Sequence, residues 1–161
     1  RRDPLTRLGN RRELDARWPA LLAACRTSGK PLAVAMLDLD RFKQVNDRFG
    51  HAVGDGVLVA MAKVLRDNTR SGDIGARVGG EEFLLVLPDT DGERALEICE
   101  RLRQCVAVHP WNTLADGLSV TLSIGIACAP PYDADELTLR ADAALYAAKV
   151  QGRNCVTMSA A

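Results

Sequence analysis

Two acidic clusters in this chain sit where carboxylates can do chemistry. The run Leu32 to Leu37 is nearly all apolar and closes on Asp38-Leu39-Asp40, and further along Gly79-Gly80 leads directly into Glu81-Glu82. A carboxylate at the end of an apolar run caps a helix, pairs with a cation or ligates a metal. Taken alone, Asp38 and Asp40 read equally well as helix caps, and Glu81 and Glu82 as solvated turn residues. If the two segments lie side by side, Asp38, Glu81 and Glu82 converge, and like charges held together require a cation or a proton. Carboxylates without histidine or thiolate suit Mg²⁺ or Mn²⁺.

Basic residues follow the same geography. Lys43 falls in the first turn of the helix expected after Asp40, whose N–H groups point back toward the metal position and would bind phosphate. Lys149 and Arg153 fall at the end of the last expected helix, where the plain reading has them satisfying terminal carbonyls. The chain has no G-x-x-x-x-G-K-[ST] and no H-E-x-x-H, and Gly54-x-Gly56 fails the dinucleotide pattern because position 59 is Val. The residues alone point to metal-assisted phosphoryl or nucleotidyl transfer without a P-loop or a dinucleotide fold.

The elements that must position these groups are readable from periodicity. Leu14, Trp18, Leu21, Leu22 and Cys25 predict an amphipathic helix; Leu32 to Leu37 predicts a strand covered on both faces. Arg41 to Phe49 and the segment with Val57, Met61, Val64 and Leu65 predict two helices. Ile74 to Val78 and Phe83 to Leu87 flank the paired glycines as a hairpin with Glu81 and Glu82 at its tip. Ala95 to Val106 predicts a helix, Val108 to Gly117 a loop, Ser119 to Ile126 a strand, Leu137 to Ala148 a helix, and Asn154 to Thr157 a short final strand. The order β-α-α-β-β-α-β-α-β after the first helix resembles an α+β, ferredoxin-like core with a mixed, largely antiparallel sheet flanked by helices.

Composition narrows the function classes. At 161 residues the chain is one domain, and 21 basic against 21 acidic residues leave no net charge, which argues against scanning polymeric nucleic acid. No apolar stretch approaches the roughly 20 residues of a membrane helix, so direct membrane contact is not expected. The five cysteines form no C-x-x-C pair and read as buried reduced thiols in a cytoplasmic protein, and two histidines exclude a histidine-rich metal site.

Arg77-Val78-Gly79-Gly80-Glu81-Glu82-Phe83 resembles the GGDEF motif of diguanylate cyclases in its GGEEF form. Asp3-Pro4-Leu5-Thr6-Arg7-Leu8-Gly9-Asn10-Arg11-Arg12 resembles the family's opening motif, and Asp38-Leu39-Asp40-Arg41-Phe42-Lys43-Gln44-Val45-Asn46-Asp47-Arg48-Phe49-Gly50-His51 its metal and guanine segment. Gly54-Asp55, Ser123-Ile124-Gly125-Ile126-Ala127 and the stretch from Ala141 through Lys149 to Gly152-Arg153-Asn154 complete the pattern. Separated blocks in the right order are far more specific than one pentapeptide.

The resemblance implies a single GGDEF domain over residues 1–161, similar in fold to nucleotide cyclase and polymerase palm domains, with residues 1–10 leading in from an upstream regulatory region. It implies condensation of two GTP into cyclic di-GMP and two pyrophosphates by a head-to-tail homodimer, each domain holding one GTP. Asp38, the Leu39 carbonyl and Glu81 would hold two Mg²⁺ ions, with Glu82 an additional ligand and Glu81 the base for the 3′-hydroxyl. Asn46 and Asp55 would read guanine, Asp55 accepting from N1–H and the exocyclic amine, which adenine lacks as a pair. His51 matches a substrate position and reads equally as a buried structural histidine. The N–H groups near Phe42, with Lys43, Lys149 and Arg153, would bind phosphate, Lys43 as a catalytic cation. Arg70 and Asp73, with five residues between Asp73 and Gly79-Gly80, match an inhibitory R-x-x-D product site, and Arg101 its secondary surface. The competing readings are a catalytically silent cyclic di-GMP receptor and a palm-like cyclase acting on one nucleotide.

Overall fold

The computed structural model describes residues 1–160, so the expected domain limit at Ala161 lies outside the described residues. Six strands form one sheet in the order β1-β3-β4-β2-β5-β6: β1 (Gly9–Asn10), β2 (Leu32–Leu39), β3 (Ile74–Arg77), β4 (Glu82–Pro88), β5 (Leu122–Cys128) and β6 (Val156–Met158). The helices are α1 (Arg11–Ser28), α2 (Phe42–Phe49), α3 (His51–Asp67), α4 (Gly92–Val108) and α5 (Ala134–Val150).

β2 is central and buried along its whole length, antiparallel to β4 on one side and to β5 on the other. With β3 it makes the four-strand order β3-β4-β2-β5 of a split β-α-β core, as the element order predicts. β1 and β6 extend this core by parallel pairing at its two edges.

The period of two along β2 explains the layers. Ala33, Ala35, Leu37 and Leu39 enter a core with α2, α3 and α4. Leu32, Val34 and Met36 face the other way into a core with α1 and α5. Asp38 and Asp40 continue the second series, so both carboxylates emerge on the α5 side.

Four local expectations need correction. Glu82 opens β4 opposite Asp38, so the hairpin tip is Gly79 to Glu81. β5 begins at Leu122 rather than Ser119, because β2 ends at Leu39 and Asp40 N–H makes one last bond to Thr121 O at 2.9 Å. The expected loop after α4 holds a single 3-10 turn at Trp111–Thr113. Cys25 and Cys99 are buried, whereas Cys105, Cys128 and Cys155 are half-buried; all five are free thiols. No helix among the described residues is long and apolar enough to cross a membrane.

Candidate functional site

A pocket of about 190 Å³ opens where β2 ends, bounded by Asp38, Leu39 and Asp40 from the strand, Arg41, Phe42 and Lys43 from the turn into α2, Glu81 from the hairpin tip, and Lys149 and Arg153 from the end of α5. The Leu39 side chain is in the core, so Leu39 meets the pocket through its main chain. A wider groove of about 330 Å³ lies beside it along Gln44 and Arg48 of α2, sharing only Asp40 and Arg41 with the pocket. Neither Asp38 nor Asp40 caps α2, whose first residue follows Arg41 in a left-handed conformation with no side-chain cap. The capping reading of these two aspartates therefore fails.

Lys149 does not spend its charge on the carbonyls of α5; its Nζ donates to Asp38 Oδ2 at 2.6 Å. The approach depends on Gly125. A Cβ there would run into Leu145 N and Ala141 O and stand 2.7 Å from the Ala144 carbonyl carbon, so α5 lies directly on the backbone of β5. That contact delivers the last turn of α5 to the end of β2.

Burial pushes the Asp38 carboxyl above its usual range despite the partnership with Lys149. Glu81 is also raised, by burial first and then by the negative charge of Asp38. Two carboxylates that repel each other beside a main-chain carbonyl make a hard, all-oxygen donor set, which fits a divalent cation such as Mg²⁺. Among the described residues no three His, Cys, Asp or Glu side chains come together as a metal cage. Glu82 is not drawn in: its side chain folds over Gly79, where an added Cβ would stand 2.6 Å from its Oε1.

Lys43 sits at the pocket edge, highly exposed, with Nζ on Asp47 Oδ2 at 3.0 Å. Asn46 lies one helical turn beyond Phe42. Its amide rests on Gly54 of α3, where any Cβ would collide with Asn46 Oδ1. Gly54 thus lets α2 and α3 close together, with Asp55, the next residue, exposed in α3. His51, at the first turn of α3, is exposed, which removes the buried structural alternative.

Arg70 and Asp73 stand at the opposite end of the β3-β4 hairpin from Glu81. The Asp73 carboxylate accepts from Arg70 N at 2.8 Å and Arg70 Nη2 at 3.4 Å, and the same Nη2 reaches Pro88 O at 2.8 Å and Thr90 Oγ1 at 3.0 Å. Arg101 of α4 donates from Nε to Asn68 Oδ1 at 3.1 Å, two residues before Arg70, so the three expected product-site residues share one surface.

Sequence reasoning missed two residues that organise the site. Asp40 is tied to β5 and to the turn after α5. Arg77 donates to Asp3 and to the carbonyls of Gly79 and Gly80, bracing the loop that carries Glu81. Asp40 stood out at the end of the apolar run but read as a helix cap, and Arg77 was visible only as a member of a matched motif; no local pattern marked the partners of either.

The arrangement is that of an α+β domain able to hold a polyphosphate against a divalent cation. The profile of the family described as diguanylate cyclase, GGDEF domain, matches residues 1–155, and the chain belongs to that family. It is 43% identical over 164 aligned residues to the response regulator PleD of Caulobacter vibrioides, covering 99% of this chain and 36% of PleD. It is 44% identical over 153 residues to the diguanylate cyclase DgcP of Pseudomonas aeruginosa, covering 94% of this chain and 23% of DgcP. The chain thus spans about a third or less of these relatives. The GGDEF domain of DgcB from Caulobacter crescentus in complex with c-di-GMP aligns with a TM-score of 0.91 at 34% identity, covering 99% of this chain and 96% of that one. The active GGEEF domain of a diguanylate cyclase from Vibrio cholerae aligns with a TM-score of 0.89 at 36% identity, covering 96% and 99%.

Proposed function

We propose that this domain is one half of a diguanylate cyclase, condensing two GTP into cyclic di-GMP and two pyrophosphates when two copies face each other. The observation that carries this reading is the single pocket in which the carboxylates of Asp38 and Glu81 meet Lys149 and Arg153, with Lys43 at its edge. The acidic groups match the needs of Mg²⁺, and the basic groups match a triphosphate.

Asp38, the Leu39 carbonyl and Glu81 would hold two Mg²⁺ ions, which would supply activation of the 3′-hydroxyl and charge neutralisation at the leaving pyrophosphate. Glu81 takes the proton of that hydroxyl. The hydroxyl oxygen bonds to the α-phosphorus of the GTP held by the other copy, and the bond to the bridging oxygen of pyrophosphate breaks; the same step in the opposite direction closes the ring. Lys43, Lys149 and Arg153 hold the β- and γ-phosphates, and the N–H groups near Phe42 assist at the start of α2.

Asn46 and Asp55 select guanine. A site that hydrogen-bonds a substrate group can reject an analogue lacking it by about 10⁴-fold, so ATP is a poor substrate. Arg70, Asp73 and Arg101 form a surface for the product, which arrests turnover as it accumulates. The five free cysteines support a reducing, cytoplasmic location.

Incubation of the domain with GTP and Mg²⁺, with the product identified by mass, tests the reading. Cyclic di-GMP formed at a rate that rises more steeply than linearly with protein concentration is the expected result. Binding of cyclic di-GMP with no turnover at any protein concentration would establish a silent receptor instead, and a product made from one nucleotide would establish a palm-like mononucleotide cyclase.

A further inference from the structure

The carboxylate of Asp40 has no part in the metal, base or phosphate roles above, yet it is among the few buried charged groups of the chain, 7% exposed. Its Oδ1 accepts from Ser123 Oγ at 2.6 Å; its Oδ2 accepts from Thr121 Oγ1 at 2.7 Å and from Asn154 N at 3.0 Å. Among the described residues no Lys or Arg pairs with it. The hydroxyl donors belong to β5 and the residue preceding it, so the carboxylate is fixed to the sheet. The third donor is a main-chain N–H from the turn after α5, 114 residues away.

That turn is unusual. Gly152, Arg153 and Asn154 follow one another with φ of 125°, 67° and 47°. Glycine tolerates the left-handed region, but arginine and asparagine enter it at a cost and stay only where outside bonds hold them. The outside bonds are Arg153 N to Ala148 O at 3.0 Å, Asn154 N to Asp40, and Arg103 Nη1 to Asn154 Oδ1 at 2.8 Å. Of these, Asp40 alone connects the turn to the end of β2. The side chain so aimed is Arg153, which lines the pocket with Asp38, Glu81 and Lys149.

We propose that Asp40 is a positioning residue that holds the Gly152 to Asn154 turn in its left-handed form and thereby points Arg153 at the nucleotide polyphosphate. Asp38 near the end of β2 and Asp40 just beyond it divide the end of α5 between them: Asp38 takes the Lys149 side chain, Asp40 the backbone beyond it. The inference rests on the diguanylate cyclase reading for the identity of the polyphosphate. It assigns Asp40 to substrate binding and leaves the reacting atoms to Glu81 and the cation.

The test is a double-mutant cycle of Asp40→Asn and Arg153→Ala, read in KM for GTP and kcat, with the dissociation constant of a non-hydrolysable GTP analogue measured in parallel. Loss of a charge-assisted bond to the turn should raise KM and the analogue's dissociation constant about tenfold, leaving kcat within a few-fold. In the Arg153→Ala background the same change should add almost nothing, because the group being aimed is already gone. A fall in kcat at unchanged KM, or fully additive effects, overturns the proposal. If Asp40→Asn does not fold, Thr121→Val removes one donor, keeps the Asn154 bond, and should show a smaller shift with the same non-additivity. A wild-type domain that makes no cyclic di-GMP refutes the enzyme reading alone, since the cycle is still scored in the analogue's dissociation constants.

Discussion

Arg77 and Asp3 meet across 74 residues of chain: Nη1 of the arginine donates to both carboxylate oxygens, at 3.3 and 3.2 Å. The same guanidinium donates from Nε to Gly79 O and Gly80 O, each at 3.2 Å, and from Nη2 to Gly80 O at 2.8 Å. Asp3 in turn accepts from Thr6 N at 2.8 Å and Thr6 Oγ1 at 2.7 Å. One side chain therefore joins the opening loop to the loop that presents Glu81, and any displacement of residues 3 to 6 is felt at the hairpin tip.

Replacing Arg77 with Ala should reduce turnover while the domain stays folded, because Glu81 loses the brace beneath its loop. The stability cost should be about 1 to 2 kcal/mol, given the partial exposure of the pair. Chemical denaturation and steady-state rates measured on the same preparation check both halves.

Burial works against ionised Asp3, but its bonds to Thr6 and Arg77 outweigh this and hold its carboxyl below the ordinary value. A depressed folded value means that the contribution is complete above the unfolded carboxylate pKa and is lost as pH falls through the folded one. The opening loop should therefore stay docked at neutral pH and detach in acid. Hydrogen exchange at the Thr6 and Leu8 amides across pH 2 to 6 should show protection disappearing at the acidic end of that range; constant protection throughout would contradict the assignment.

Gly125→Ala should be severe for its size. The added methyl meets backbone atoms of α5 rather than flexible side chains, so the helix must lift. Overpacking costs about 1 to 3 kcal/mol where neighbours can yield, and backbone yields least. Lifting α5 withdraws Lys149 and Arg153 from the pocket, so the KM for GTP should rise with the loss of stability.

Glu81→Gln keeps the shape and removes the charge. As a lost base alone it should lower kcat by about 10² or more, and as a lost metal ligand it should weaken the response to Mg²⁺. For the unmodified protein, Mg²⁺ at 100 times its dissociation constant should stabilise by about 2.7 kcal/mol, a gain that chelation removes. Thermal melts with and without Mg²⁺ should separate the two proteins; an equal shift in both would remove Glu81 from the metal site.

Arg70→Ala should leave initial rates intact, and its progress curves should bend less as product accumulates than those of the unchanged chain. The side chain is more than half exposed, whereas that of Asp73 is buried, so Arg70 is the partner that a ligand can reach. Unchanged affinity for cyclic di-GMP in a titration would count against the product surface.

Much of this architecture was legible from short-range pattern. The apolar run of β2, the three- and four-residue spacings of α1, α3, α4 and α5, and the paired glycines before Glu81 each act within a few residues of themselves. What escaped depends on distant partners. β1 is two residues long and exists because β3 offers it an edge. The alternation through Ser119 to Leu122 continues past the point where β2 can pair with it. Glu82 reads as a turn residue until its register opposite Asp38 is known. The motif blocks brought the pocket residues to notice together, but Asp40, whose donors lie 81, 83 and 114 residues away, had no neighbour in sequence to disclose its task.

The two tryptophans fall on opposite sides of the sheet. Trp18 is packed with Leu14 and Leu22 in the layer of α1 and α5, and Trp111, whose Nε1 donates to Val106 O at 2.8 Å, lies in the layer of α3 and α4. The chain thus carries one buried fluorophore per layer. With Trp111→Phe the emission reports the layer of α1 and α5, and with Trp18→Phe it reports the layer of α2, α3 and α4, so loosening of either face can be timed without a label.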